Sequence, residues 1–264
     1  MSALPVYPDS PGDQFRFGAT MPARGALWLL RRPALWPLAI LPIALTLLCI
    51  LVALFGAVTF SDDVLQWFWV RPRGIAEVGW ALTHAALMIS MFIAGACGLW
   101  ILGQLAAGPF FDRMAELVEI ELGLRELLPF DLRTALRHTL RSALHSVLGL
   151  GLWIAASAIA LVLNLVPGFG SMAYVAASMI LTALFLGREM LDIPLSRDEW
   201  SFRRKWSFVR DHRWACLGLG GTTGLLLAIP GVDLLVLPCS ILGATLMSLS
   251  IRNGPSLTAG HEYR

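Results

Sequence analysis

The sequence predicts an all-α integral membrane protein. Of its 264 residues, 57% are hydrophobic and only 14% are charged, whereas soluble domains are typically about 25% charged. The mean hydropathy of +0.70 is correspondingly high. Four long stretches carry almost no charge, and each is long enough to enter a bilayer as one helix or two. The net charge of +2 is too small to indicate a nucleic-acid partner.

The first 22 residues are polar and rich in proline, with Pro5, Pro8 and Pro11 close together. They do not resemble a signal peptide, because the first apolar run begins only near Ala34 and is too long for a signal-peptide core. We expect residues 1–22 to form a disordered tail, residues 23–252 to form the membrane domain and residues 253–264 to form a C-terminal tail.

The first two apolar stretches each predict one long transmembrane helix. Ala34–Phe60 has 27 residues without a charged side chain, and Val78–Phe111 has 34 residues without Asp, Glu, Lys or Arg and with His84 as its one histidine. A helix needs about 20 apolar residues to span the hydrocarbon core, so both stretches are long enough.

The last two apolar stretches predict helical hairpins. Ser142–Gly187 is broken near its middle by Pro167-Gly168, and Trp214–Ile251 is broken by Pro230-Gly231. Proline ends a helix and glycine permits the turn that follows. An arm of 16 residues such as Trp214–Ile229 reaches roughly 24 Å, less than the roughly 30 Å of the hydrocarbon core. The short arms therefore either cross a thinned bilayer or penetrate it only in part.

The distribution of lysine and arginine indicates the orientation. Eighteen of the twenty basic residues lie outside the loop between the first two spans, and that loop holds only Arg71 and Arg73. Because each hairpin returns the chain to the face that it left, the eighteen share one face, which the positive-inside rule makes cytoplasmic. We expect a multi-pass protein of the cytoplasmic (inner) membrane with both termini in the cytoplasm.

Two cytoplasmic segments are predicted to be amphipathic helices on the membrane surface. Asp131–His145 combines a leucine face with arginines at four-residue spacing, which suits an anionic leaflet. Asp198–Trp214 alternates basic and aromatic residues, which is typical of an interfacial anchor. The candidate membrane-surface residues are Arg133, Arg137, Arg141, Arg203, Arg204 and Lys205.

Candidate substrate-binding residues lie before the first span and at the hairpin turns. The paired guanidinium groups of Arg31 and Arg32 can hold an oxyanion, although positive-inside topology would supply the same pair. Polar residues within apolar segments and breaks caused by proline or glycine are typical of transporter sites, although purely structural hairpins would show the same breaks. The candidates at the turns are Asn164, Gly168 and Asp233.

The sequence contains no hydrolase elbow, phosphate-binding loop or zinc motif, and we predict neither an enzyme nor a cofactor or metal site. Gly218, Gly220 and Gly224 lie in an apolar helix without a preceding strand, which indicates close helix packing rather than a phosphate loop. Arg188 and Asp192 are four residues apart and are expected to pair on one helix face.

Four segments follow one another in a specific order. The first is Ala107-Gly108-Pro109-Phe110 with Glu116 and Glu119 after it. The others are Val166–Gly170, Asp192-Ile193-Pro194, and Ile229–Thr245 with two prolines and a final Gly-Ala-Thr. In order and spacing, over roughly residues 24–252, these segments resemble the CysZ sulfate permeases and the wider etoposide-induced membrane protein family.

This resemblance implies two long transmembrane helices, hairpins that penetrate the bilayer fully or partly, homo-oligomerisation, and sulfate uptake for cysteine biosynthesis. Two departures bear on the substrate. Permease-type members resemble R-P-G-L-R-R before the first span, whereas Trp36-Pro37 stands here in place of the late arginine pair, and Asp233 replaces an asparagine. The expected function is transport of sulfate or a related oxyanion. The alternative is a non-transporting membrane scaffold or lipid-interacting protein of the same family.

Overall fold

The computed structural model of the protein describes residues 4–70, 72–74, 76–124, 132–165, 168–198, 200–229 and 232–259. Within these ranges, residues 100–102, 104–106, 132–139, 141–143, 165, 233–234 and 254–259 are described by their backbone alone. The α-helices in chain order are α1 Pro11–Leu30, α2 Trp36–Phe68, α3 Ala76–Glu121, α4 Leu132–Leu161, α5 Gly170–Ser196, α6 Phe202–Asp211, α7 Arg213–Leu227 and α8 Asp233–Ala259.

Within the described ranges, five helical segments are long and apolar enough to cross a membrane. They confirm the prediction of an all-α integral membrane protein. The segment in α8 differs from the others because 72% of its most apolar part is buried inside the protein. The five candidate spans are Pro33–Phe68, Ala76–Leu99, Leu144–Asn164, Gly170–Ser196 and Leu235–Asn253.

Helix breaks occur where the sequence predicts the two hairpins. Between α4 and α5 the chain passes through a short 3-10 turn, Val162–Leu165, and then through Gly168, whose φ of +88° is rarely adopted by other residues. The break between α7 and α8 falls around Pro230-Gly231. Pro167, Pro230 and Gly231 themselves lie outside the described residues. The arm α7 has only 15 residues, in keeping with the short arm predicted there.

The chain divides into two compact units, residues 1–39 with 109–264, and residues 40–108. Within residues 40–108, one face of α2 is buried at every fourth position, at Ala53, Ala57, Ser61 and Leu65. The small side chains allow α3 to pack closely against this face, and Ser61 Oγ lies 3.0 Å from His84 Nε2.

In the unit formed by residues 1–39 and 109–264, helices α1, α5, α7 and α8 pack closely through glycines. A Cβ atom added at Gly218 would overlap the carbonyl oxygen of Phe15 in α1. One added at Gly220 would overlap the carbonyl oxygen of Ala183 in α5. The structure therefore confirms the close helix packing predicted for the glycines of α7.

Helix α1 corrects the prediction for the N-terminus. The expectation of a disordered tail is wrong for residues 11–22, which are helical and bury Phe17 and Met21. Ser10 caps the helix by accepting a hydrogen bond from the backbone N–H of Asp13 at 3.2 Å. Pro11 is compatible with this helix because N–H groups in the first turn have no hydrogen-bond partner within the helix, so the N–H that proline lacks is not required there.

At the other end of the chain, α8 continues to Ala259, so the tail predicted from residue 253 begins within a helix. Residues 260–264 lie outside the described residues.

Candidate functional site

Arg31 and Arg32 lie at the C-terminal end of α1, where they line a groove of about 440 Å³. The groove is also lined by Leu4 and Pro5 of the N-terminal segment and by Leu246 of α8. Its charged and aromatic residues are Arg24, Trp28, Arg31, Arg32 and Glu121.

The spacing of these residues follows from the helix. Arg24 and Trp28 are four residues apart, so successive turns of α1 bring them to one side, and Arg32 follows two residues after the end of the helix. Helix α1 ends at Leu30, and Pro33 starts the 3-10 turn that leads into α2. The two arginines thus stand at the helix end, where basic side chains also interact favourably with the helix dipole.

Arg32 is held from two sides. Its guanidinium carbon lies 3.6 Å from the centroid of the Trp28 ring, a cation–π contact. Its Nε atom donates to Oε2 of Glu121, the last residue of α3. The side chains of Arg32 and Glu121 are 21% and 46% exposed, so this ion pair remains open to water.

The lining of the groove carries more positive than negative charge. Among the described lining residues there are three guanidinium groups and one carboxylate, which together give a net charge of +2. Surplus positive charge in a water-accessible groove attracts anions, and arginine forks match the oxygen geometry of a tetrahedral oxyanion. The arrangement is therefore suited to binding a divalent oxyanion.

The other predicted substrate-binding residues lie at the two hairpin turns. Asn164 is exposed, and its Oδ1 accepts a hydrogen bond of 2.8 Å from Ser171 Oγ across the first turn. Among the described residues that line the groove, neither Asn164 nor Gly168 is present. Asp233 begins α8, and its side chain lies outside the described part of the structure.

Lys205 lies in a different environment from the one predicted. Instead of reaching the membrane surface, its side chain is 1% exposed, and its Nζ donates to Asp192 Oδ1 at 2.8 Å and to Ser196 Oγ. A buried ammonium requires a counter-charge, and α5 supplies Asp192 for it. Arg188 Nη2 also lies 3.6 Å from Asp192 Oδ1, which confirms the pair predicted on this helix.

The buried cluster around Lys205 connects three helices. In α4, the backbone carbonyl of His145 accepts from Arg188 Nη2 at 3.0 Å, and His145 Nδ1 lies 3.2 Å from Lys205 Nζ. Glu189 lies 3.2 Å from Arg188 Nη1 and accepts from Ser146 Oγ. Among the described side chains, two cations thus face two carboxylates. We call this set the buried charge cluster: Arg188, Glu189, Asp192 and Lys205 with His145, Ser146 and Ser196.

A second set of ion pairs joins the end of α3 to the end of α5. Arg197 lies within ion-pair distance of three carboxylates, with 3.1 Å to Asp112, 3.8 Å to Glu116 and 3.5 Å to Glu119. It also donates to the backbone carbonyl of Asp112 at 2.8 Å. The acidic residues that carry the family resemblance therefore hold α3 against α5.

The remaining membrane-surface candidates divide into two groups. Arg203 and Arg204 are exposed on α6, and the Arg204 guanidinium lies 4.1 Å from the Trp200 ring. Their place on the membrane stays a prediction. For Arg133, Arg137 and Arg141 in α4, the structure describes the backbone but not the side chains.

Sequence reasoning missed Arg24, Trp28 and Glu121 as neighbours of Arg31 and Arg32. The four-residue spacing from Arg24 to Arg32 is a helical signal, but it is hidden when the polar segment before it is taken for a disordered tail. Glu121 lies 89 residues from Arg32 in sequence, and no local pattern connects the two.

A family model described as sulfate transporter CysZ/etoposide-induced protein 2.4 matches residues 21–238. The chain belongs to this family. The match contains α1 from Met21, both long helices and the hairpins up to the start of α8.

Several bacterial relatives are named sulfate transporter CysZ. That of Pseudomonas aeruginosa is 26% identical over 226 residues, which are 83% of this chain and 89% of the relative. Two relatives from Pseudomonas fluorescens strains differ from this one, since the first matches over fewer residues and the second has a lower identity. One is 27% identical over 161 residues, or 60% of this chain and 64% of the relative. The other is 21% identical over 243 residues, or 89% and 94%.

Proposed function

We propose that the protein transports sulfate or a related oxyanion across the cytoplasmic membrane and that the groove at Arg31 and Arg32 binds the anion. The observation that carries the proposal is the cluster of three arginines around a water-accessible groove with a net charge of +2. Family membership and the names of the relatives support the same substrate class. Arg31 and Arg32 take the part that the late arginine pair has in permease-type members.

The proposed orientation places both termini in the cytoplasm, and the protein works as a homo-oligomer, as the family resemblance implies. The basic residues on one side of the predicted topology support this orientation. The arm α7 has 15 residues, roughly 22 Å of helix, which is short of a full crossing. Helices α7 and α8 then enter and leave the bilayer on the same face.

Uptake of radioactive sulfate into proteoliposomes tests the proposal. The double variant Arg31→Ala/Arg32→Ala should lose about tenfold or more of the initial rate, because two charge-assisted contacts are removed. The matched control is Arg203→Ala/Arg204→Ala, which removes the same charge from exposed positions on α6 and should retain the wild-type rate. Sulfate flux no greater than in empty vesicles would refute the proposal, and an equal loss in both double variants would show that the groove has no special part.

The second candidate function is that of a lipid-binding scaffold. It is favoured by α6, which exposes Arg203, Arg204 and Trp206 on one side while Lys205 and Phe208 are buried. Basic and aromatic residues together are typical of a helix at the surface of an anionic membrane. In this case the control variant Arg203→Ala/Arg204→Ala, rather than the groove variant, would weaken binding to anionic liposomes, and sulfate flux would be absent.

A further inference from the structure

The groove contains its own anion. Glu121 ends α3, and its carboxylate pairs with the Nε edge of Arg32. It belongs to the residues that line the groove, and 46% of its side chain is exposed. The carboxylate is thus bound to the arginine from the open side of the site rather than from within the protein.

Trp28 restricts how Arg32 can respond. Trp28 is 8% exposed, and its ring lies 3.6 Å from the guanidinium carbon, so it covers one flat face of the guanidinium. An oxyanion hydrogen-bonds to Arg32 at an edge, where the N–H donors point. Glu121 uses the Nε edge, so a ligand oxygen at that edge competes with the carboxylate for the same donor.

We propose that Glu121 is an internal competitor of the transported oxyanion: it occupies Arg32 in the empty groove and must be displaced when the oxyanion binds. This inference rests on the proposed function and adds the residue that sets the affinity of the site. Displacing Glu121 from Arg32 costs little free energy, because an exposed ion pair is weakened by water and salt. A carboxylate that remains near a bound dianion also repels it. Both effects lower the affinity, which allows the anion to leave the site again.

The variant Glu121→Gln tests this inference while keeping the shape of the side chain. Sulfate is titrated into the purified full-length protein by calorimetry, with sodium chloride adjusted so that ionic strength stays constant. We expect the dissociation constant to fall about three- to tenfold, because the competing charge and its repulsion are removed. The matched control is Asp211→Asn, which removes one exposed carboxylate from α6, where Asp211 lies 3.8 Å from Arg210. Its dissociation constant should equal that of the wild type.

The double variant Arg32→Ala/Glu121→Gln distinguishes direct competition at Arg32 from a general change in the electrostatic potential of the groove. If Glu121 acts through Arg32, sulfate binding in the double variant should be no tighter than in Arg32→Ala. Unchanged or weaker binding in Glu121→Gln, with binding lost in Arg31→Ala/Arg32→Ala, would overturn the inference and leave the proposed function standing. Sulfate binding that is indifferent to all of these substitutions would overturn both.

Discussion

The groove and the buried charge cluster use the same types of residue in opposite ways. In the cluster, Arg188 and Lys205 are 2% and 1% exposed and, among the side chains that the structure describes, they face two carboxylates. In the groove, the arginines outnumber Glu121 and remain in contact with water. A buried charge without a partner is costly, so the described charges of the cluster are held against charges of the opposite sign. Surplus charge persists where water or a ligand can solvate it, and this difference is the reason for proposing the groove rather than the cluster as the binding site.

The largest effect should follow from breaking the cluster at Lys205. The variant Lys205→Met leaves Asp192, 2% exposed, without its closest cation. Removing one partner of a buried ion pair typically costs about 3–5 kcal/mol, and we expect a loss of this size in the free energy of unfolding, measured in mixed detergent micelles. The control is Arg204→Met, which removes the neighbouring exposed cation and should cost less than about 1 kcal/mol.

A double variant tests whether the loss of stability in Lys205→Met comes from the ion pair between Lys205 and Asp192. In Lys205→Met/Asp192→Leu both charges are absent and Arg188 keeps Glu189 as a counter-charge, so part of the stability should return. If the double variant loses the sum of the two single losses, Lys205 and Asp192 contribute independently and the comparison with the groove no longer rests on charge matching.

The next largest effect should come from the packing that builds the groove. A Cβ atom at Gly25 would overlap the carbonyl oxygen of Cys239 in α8, so Gly25→Ala must move α1 away from α8. Overpacking of this kind costs about 1–3 kcal/mol. Because Trp28 and Leu246 come from these two helices, sulfate binding should weaken together with the melting temperature.

Gly12→Ala is the matched control in the same helix, since a Cβ at Gly12 meets no atom within 4 Å. It should leave both the melting temperature and sulfate binding near their wild-type values. A Gly25→Ala variant that binds sulfate like the wild type, despite a lower melting temperature, would show that the groove does not depend on the close approach of α1 and α8.

The membrane class, the helix breaks and the Arg188–Asp192 pair could be predicted because each depends on local sequence. Apolar length, proline with glycine, and a four-residue spacing act over one or two helical turns. Arg31 and Arg32 could be singled out as candidate oxyanion-binding residues, since adjacent arginines before an apolar stretch are visible in the sequence. Their role in binding stays a prediction, and the structure places both in the lining of the groove.

The partners of these residues could not be predicted, because they come from distant parts of the chain. Lys205 stands in a basic and aromatic segment that resembles a membrane anchor, and its burial depends on Asp192 and His145 from two other helices. Helix α1 was missed because its polar residues and prolines concealed an apolar face that only α7 and α8 complete. Composition records how polar a segment is, whereas docking depends on which side of a helix the apolar residues occupy.

The smallest predicted effect concerns Tyr7, which anchors the segment that contains the groove residues Leu4 and Pro5. The Tyr7 hydroxyl lies 3.0 Å from Nδ1 of His212, between α6 and α7. Burial, with a smaller contribution from Cys216, raises the pKa of Tyr7 to about 12, so the hydroxyl keeps its proton at neutral pH. Burial lowers the pKa of His212, so the folded protein favours the neutral ring that can accept this hydrogen bond. The variant Tyr7→Phe should lower the free energy of unfolding by about 1 kcal/mol.

The hydrogen bond between Tyr7 and His212 also predicts how the stability of the protein changes with pH. Because the pKa of His212 is lower in the folded protein than in the unfolded chain, the unfolded chain binds more protons below pH about 6.5. The stability that depends on neutral His212 is fully present above that pH and decreases as the pH falls toward the pKa of the folded protein. Melting temperatures measured from about pH 8 to pH 5 should therefore fall more in the wild type than in His212→Asn, which cannot titrate in this range. Parallel curves for the two proteins would show that the titration of His212 is not the cause of the pH dependence.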